Sequence, residues 1–374
     1  MLKKFEVIGF KNFDFPLVLD FSDVKQYNFN KNCIKEGLLK TVVVYGKNSV
    51  GKSNFGLALF DIVTHLVDRH VTPKLFDYYL NNNGNFNMAS FRYTFQFEKD
   101  LVVYSYKKSD VDEIKYESLI INEQLVFEFN LLGNNSTDSE LKYGHYFNKF
   151  FPNLNLKTLD ARISILRYIV NNSSIEKGHP IRKMYDFVSN MLWFRSLDEN
   201  RFIGYKDGVK KASDYYDFIF EGNNLQEFSK LLNASGLHKS LVVREQPSSE
   251  KQLYFDGDVL IPFFRTASNG TKALYTYFYW TRNRDVSLLF IDEFDAYYHF
   301  ELSEYIVKNL ELRNNQTIIT THNTNLLSNS IMRPDSYFVL TSSRISSIAR
   351  ATERELREGH NLEKLYISGE FNEQ

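Results

Sequence analysis

Short runs of alternating apolar and polar residues open the chain. Phe5, Val7 and Gly9 alternate with polar neighbours, and Leu17, Leu19 and Phe21 repeat the pattern after Pro16, which predicts two half-buried strands forming an edge hairpin. Thr41-Val42-Val43-Val44-Tyr45 breaks the alternation. An unbroken β-branched run is expected of a parallel strand covered on both faces. A glycine-containing loop follows, and Phe55, Leu59, Ile62 and Leu66 then recur at helical spacing. Between Met88 and Phe129 the period returns to two: Phe91, Tyr93, Phe95 and Phe97, a turn at Glu98-Lys99-Asp100, then Val102, Tyr104 and Tyr106. That pattern predicts an antiparallel sheet.

From about 140 to 245 the spacing is mostly helical. Ile181, Met184, Tyr185, Val188 and Leu192 form one stripe, and Asn224 with Glu227 suggests a capping box before Leu225, Phe228, Leu231 and Leu232, stopped by Gly236. After residue 260 an alternating α/β pattern resumes, with helices near 271–282 and 300–310 and strands at 287–291, 317–321 and 337–340. The expected organisation is an α/β head split by an insertion. Residues 1–85 and 251–374 supply its two halves, 86–135 an antiparallel β segment, and 136–250 a helical insertion. No repeat is found, and the Asn-rich patches at 81–87 and 130–138 read as exposed turns.

Composition narrows the function class. The 33 Phe and 24 Tyr among 374 residues predict a core packed with large rings. A net charge of −1, from 45 basic and 46 acidic residues, excludes a global field drawing the chain onto nucleic acid or an anionic membrane. Any nucleic-acid contact must be local, and the basic clusters Lys107–Lys108 and Lys206 through Lys211 read as solvated loops. The single cysteine, Cys33, excludes an internal disulfide framework and reads as a buried structural thiol. Glu6, Lys11 and Asp14 interrupt any apolar signal segment, and no run approaches the roughly 18 apolar residues of a membrane span, so a cytoplasmic protein without membrane contact is expected.

Four motifs carry chemistry. Gly46-Lys47-Asn48-Ser49-Val50-Gly51-Lys52-Ser53 fits a phosphate loop set between a strand and a helix. Its backbone N–H groups and the helix N-terminus face anionic oxygens, Lys52 reaches the β- and γ-phosphates, and Ser53 ligates Mg²⁺. Ser287-Leu288-Leu289-Phe290-Ile291 ends in Asp292-Glu293, assigning Asp292 to Mg²⁺ and Glu293 to the attacking water as general base. The strand Thr317–Thr321 ends in His322, within reach of a γ-phosphate or that water. Strands of a parallel sheet present such residues at one edge. Finally, Ser268-Asn269-Gly270-Thr271 begins a helix and reads either as an ordinary N-cap turn or as a second anion site. Because the first loop already serves the nucleotide, the second site is expected to reach ATP bound by another subunit.

Together these motifs resemble ABC-type ATPases of the SMC/RecF/OLD branch, and in particular the AAA-type defence ATPases related to RloA and the abortive-infection protein AbiLi. Gly46 to Asn54 is similar to that group's G-x-N-x-x-G-K-S-N loop, which adds Asn48 and Asn54 to the nucleotide residues. Ser268 to Thr271 resembles its S-x-G-T signature, Asp292 to His299 its D-E-x-D-x-x-x-H block, Thr320 to Leu327 its T-T-H-x-T-N-L-L run, and Asn361 to Gly369 its closing stretch. The resemblance covers both ends well and the helical middle poorly. It implies an ABC-type P-loop ATPase head with an antiparallel β subdomain and a helical lid. It also implies a head-to-head homodimer, or a larger oligomer, with two ATP molecules held between the phosphate loop of one subunit and Ser268–Gly270 of the other, and with Asp295 as the D-loop residue. Ala267, Asn269 and Phe300 depart from the usual residues, which is compatible with slow turnover, and Gln96 is the one glutamine considered for a Q-loop. The function implied is regulation of a separately encoded effector, such as an RloB-like nuclease, in anti-phage defence. A DNA-binding repair ATPase of the RecF or Rad50 kind and a nucleotide-locked scaffold with little turnover remain alternatives.

Overall fold

The structure, a computed structural model, describes residues 1–67, 73–83, 85–131, 139–151, 154, 163–196, 202–204, 212–246, 250–282 and 285–371. The unbroken apolar runs form the middle of a seven-stranded sheet. Thr41–Tyr45 lies between Gln316–Thr321 and Tyr337–Leu340, while Leu288–Asp292 lies between Gln316–Thr321 and Leu192–Arg195, all five strands parallel. Phe202–Gly204 and Ile345–Ser347 close the two edges in antiparallel sense. Successive side chains leave a strand on opposite faces. Val42, Val44, Leu288, Phe290 and Ile318 accordingly join one core, and Val43, Tyr45, Leu289, Ile291 and Ile319 the other.

On the first face the helix Lys52–Val67 is enclosed between this sheet and a second, antiparallel sheet of seven strands. Phe55 contacts Phe290 on one side and Phe5 on the other, and the Tyr93 hydroxyl donates to the Ala58 carbonyl at 3.1 Å. Enclosure on both sides explains why the helix is apolar nearly all round. The antiparallel sheet runs Ser139–Tyr143, Gln124–Leu131, Glu113–Ile121, Asp100–Asp110, Ala89–Phe97, Leu2–Ile8, Leu17–Asp20. The opening hairpin is present, but only Leu17–Asp20 is an edge strand. On the second face the helices Asn269–Thr281, Asn224–Ala234 and Phe300–Glu311 cover the parallel sheet around a ring-rich core in which Phe228 and Tyr215 meet Tyr275 edge-on.

Four expectations need correction. Among the described residues the middle segment contains five α-helices, but Leu192–Arg195 is a strand of the parallel sheet, so residues 136–250 are not purely a helical insertion. Leu192 therefore leaves the proposed helical stripe, whose helix, Pro180–Ser189, stops before it. The capping box at Asn224 does not form: Asn223 occupies the cap position without a side-chain bond, and the Asn224 amide donates instead to the Phe218 carbonyl at 2.8 Å. Lys107–Lys108 lie on the strand Asp100–Asp110, whose alternation leaves Lys107 exposed and puts Lys108 on the inner face with Val102, Tyr104 and Tyr106. Lys206–Lys211 and most of the 130–138 patch fall outside the described residues. Cys33 is buried as expected, and burial with Glu311 alongside pushes its thiol up to about 12. Among the described residues no helix is long and apolar enough to cross a membrane.

A polar network fastens the enclosed helix to the antiparallel sheet. Asp61, fully buried, accepts from Lys108 Nζ at 2.9 Å, Tyr106 at 2.9 Å and Tyr79 at 2.8 Å. One helical turn on, His65 stacks on Tyr106 and meets the Tyr104 hydroxyl at 2.6 Å; Tyr104 donates to Glu117, which caps the helix Ile165–Asn172 through the Ile165 and Leu166 N–H groups. Burial, with Lys108 and Arg167 nearby, holds the His65 imidazole well below its ordinary 6.5. The folded protein thus binds fewer protons there than the unfolded chain, so this contribution is complete above the unfolded value and is lost as the pH falls below it. Thermal unfolding followed by circular dichroism should show a midpoint falling from pH 7.5 to 5.5, and less steeply in His65→Gln. His179 and His322, also lowered by burial, act in the same direction and leave a residual slope.

Candidate nucleotide site

Parallel register brings the carboxyl ends of the strands together. Arg195 stands beside Asp292, Ile291 beside Ile319, and Thr321 beside Tyr45, from which the phosphate loop departs. The loop curls back over its own lysine: Lys52 Nζ donates to the Gly46 carbonyl at 2.8 Å and the Lys47 carbonyl at 3.2 Å. Lys47, Asn48 and Ser49 are exposed at the tip. Gly51 adopts φ +102°, and a Cβ there would strike the Asn12 amide, so the position needs glycine on both counts. Asn12 straps the loop, donating to the Val50 carbonyl at 3.0 Å and accepting from Asn54 at 2.7 Å.

His322 Nδ1 lies 3.4 Å from Lys52 Nζ. Burial lowers both groups, and the Lys52 charge lowers His322 further, while Asp292 and Glu293 partly restore Lys52. With its pKa below 6.5 the imidazole is neutral at pH 7 and can accept from the ammonium.

One hydroxyl sets the two acids. Thr320 Oγ1 donates to Asp292 Oδ1 at 2.8 Å and accepts from the Glu293 N–H at 2.9 Å. Asp292 is buried, whereas Glu293, in a left-handed backbone at φ +50°, turns its carboxylate outward. A non-glycine residue held there carries about 1–3 kcal/mol of strain, which is tolerated where surrounding contacts fix it. Across from them Arg195 donates to Ser53 Oγ at 3.1 Å and to Glu293 Oε1 at 3.4 Å, and its Nε lies 3.4 Å from Asp292 Oδ2. That oxygen is buried and has no hydrogen-bond donor among the described residues. Ser53 Oγ and Asp292 Oδ2 thus both reach one guanidinium, and both are the hard oxygen ligands that Mg²⁺ prefers. The residues fit a divalent cation whose shell is completed by phosphate oxygens and water; when bound it would neutralise charge on the β- and γ-phosphates.

Ser268 caps the helix Asn269–Thr281, accepting from the Thr271 N–H at 3.2 Å, and the bonds of Ser268 and Thr271 stay within that turn and helix. A Cβ on Gly270 would come within 2.8 Å of the Tyr297 carbonyl, so glycine lets the 293–299 loop approach the helix start. Asp295 accepts from Thr321 Oγ1 at 2.7 Å inside the same chain, and burial raises its carboxyl. The Gln96 amide is bonded to the Glu98 carbonyl on the antiparallel sheet, and the structure gives it no bond to the site residues.

Residues 42–328, more than half of the chain, match the family described as "AAA domain, putative AbiEii toxin, Type IV TA system". The chain belongs to this AAA-domain family. A comparison with curated proteins found no match. Among solved structures the AAA domain is similar to an SMC head domain from Thermotoga maritima (13% identity, 92% of this chain and 98% of that one, TM-score 0.43). It is similar also to an SMC head bound to the C-terminal winged-helix domain of ScpA (14%, 92% and 97%, 0.45). A third is an SMC head with an extended coiled coil bound to the C-terminal domain of ScpA from Pyrococcus furiosus (12%, 92% and 95%, 0.42).

Three residues of the site escape the sequence reading. Thr320 lies within the quoted T-T-H run but had no role. Asn12 follows the first strand with nothing local to link it to a loop 38 residues away. Arg195 ends Leu192-Trp193-Phe194, and that apolar triplet closed by a charge is a short echo of the strand ending in Asp292.

Proposed function

We propose that this AAA domain binds and hydrolyses Mg·ATP, pairs with a second copy around the nucleotide, and in that state controls a separately encoded effector in anti-phage defence. The observation that carries the reading is the convergence of Lys52, Ser53, Asp292, Glu293 and His322 on one edge of the parallel sheet. Pairing is supported by Ser268–Gly270, a helix start with its serine engaged only locally, beside the exposed Tyr297. The family's description names a toxin–antitoxin system, which supports a two-component arrangement.

The test compares mass and ATP turnover of the full chain with Lys52→Ala and Ser268→Arg. Loss of the Lys52 charge should weaken ATP binding by about 2–4 kcal/mol, roughly 30- to 1,000-fold. Ser268→Arg should leave each chain able to bind ATP while abolishing ATP-dependent pairing and turnover. Hydrolysis that persists in the arginine variant would show that the signature turn does not act on the nucleotide of a partner.

A further inference from the structure

Arg195 touches three oxygens assigned to other work: Ser53 Oγ, Asp292 Oδ2 and Glu293 Oε1. We propose that Arg195 is a built-in counter-ion that holds the cation seat between Ser53 and Asp292 and vacates it when the divalent cation enters, making it a positioning residue that sets the cation requirement of the site. The inference rests on Ser53 and Asp292 being the cation's ligands, as read above.

Register delivers the guanidinium to this place, since Arg195 pairs with Asp292 across adjacent parallel strands, and the next residue is tied down by Ser196 N–H to the Asp292 carbonyl and Ser196 Oγ to the Phe294 carbonyl. The backbone is fixed, but the side chain is held loosely. Its contacts are 3.1–3.4 Å long and, among the described residues, its Nε has no hydrogen-bond acceptor. A purely structural pair in the same molecule looks different: Arg333 grips Asp335 through two bonds of 2.7 and 2.8 Å. Arg195 also keeps 29% of its side chain in solvent, which gives the guanidinium a way out. A divalent ion on Ser53 Oγ and Asp292 Oδ2 would sit where the guanidinium sits, and two cations cannot share that space against their mutual repulsion. Occupation by one therefore excludes the other, while the charge of the two acids stays compensated in both states.

Competition fixes the sign of the test. Mn²⁺ serves as the probe, its free concentration read by electron paramagnetic resonance during titration of the full chain with a non-hydrolysable ATP analogue. Removing the competitor in Arg195→Ala should tighten Mn²⁺ binding by about three- to tenfold, the scale of a partly exposed ion pair. Arg195→Lys, which keeps a charge but cannot span three oxygens, should tighten it less, and it carries the test alone should the alanine protein not fold. Loss of a merely structural arginine would weaken Mn²⁺ binding or leave it unchanged, and either result overturns the inference. Ser53→Ala with Asp292→Asn separates the two readings. If the wild type takes up no Mn²⁺ beyond this double variant, the nucleotide-site reading itself fails. If it does, and the Arg195 variants match it, only the counter-ion inference fails.

Discussion

Glu293→Gln is expected to lower ATP turnover by about 10²- to 10⁴-fold, the usual worth of a positioned general base, while nucleotide affinity stays within a few-fold of wild type. The two adjacent acids are set apart by their surroundings. Asp292 is sunk in the sheet and fixed by Thr320, whereas Glu293 is turned into solvent by a left-handed backbone. Glutamine has the same shape, tolerates the same backbone and still offers Arg195 a carbonyl oxygen, so the substitution removes basicity and little else. Single-turnover hydrolysis and bound nucleotide measured on one preparation separate chemistry from binding. The protein should retain ATP and accumulate as the paired species on size exclusion. A fall of less than about tenfold at unchanged occupancy would assign the base elsewhere, with His322 the next group to test.

The second large effect concerns stability. Lys108→Met should destabilise the fold by about 3–5 kcal/mol, because it leaves the Asp61 carboxylate buried without its cation. The two phenols that also donate to Asp61 remain, but hydrogen bonds from neutral groups do not replace a full charge. Asp61→Asn combined with Lys108→Met should recover most of the loss, since a neutral amide can accept from one phenol through Oδ1 and donate to the other through Nδ2. Urea unfolding of the wild type, the single and the double variant closes this cycle. Equal losses in the single and double variants would mean that packing around the Lys108 stem, and not the charge pair, carries the stability.

The sequence exposes whatever is local and repetitive. The phosphate loop announces itself through glycines between a β-branched run and a helical stripe, and Leu288–Asp292 through five apolar or acidic positions without alternation. Leu192–Arg195 does not, for a physical reason: four residues are too few to set a period, and Leu192 falls four after Val188, in phase with the preceding helix. Lys108 is hidden differently. Charge in a sequence reads as solvation, and the partner that overrides it lies 47 residues away on the enclosed helix. Asn224 with Glu227 has the spacing of a capping box, yet the helix starts one residue earlier, with Asn223 at the cap, and the Asn224 amide donates to the Phe218 carbonyl. The site therefore shows its phosphate and acid sides in the sequence, and hides the arginine that joins them.

The middle segment cannot be treated as a detachable cassette. Leu192–Arg195 is woven between Phe202–Gly204 and Leu288–Asp292, so excising residues 136–250 would pull a thread from the very fabric that presents the acids. An engineer wishing to shorten or replace the cap must leave that thread in place. A force or a partner acting on the helix Pro180–Ser189, three residues upstream, would tug on it directly.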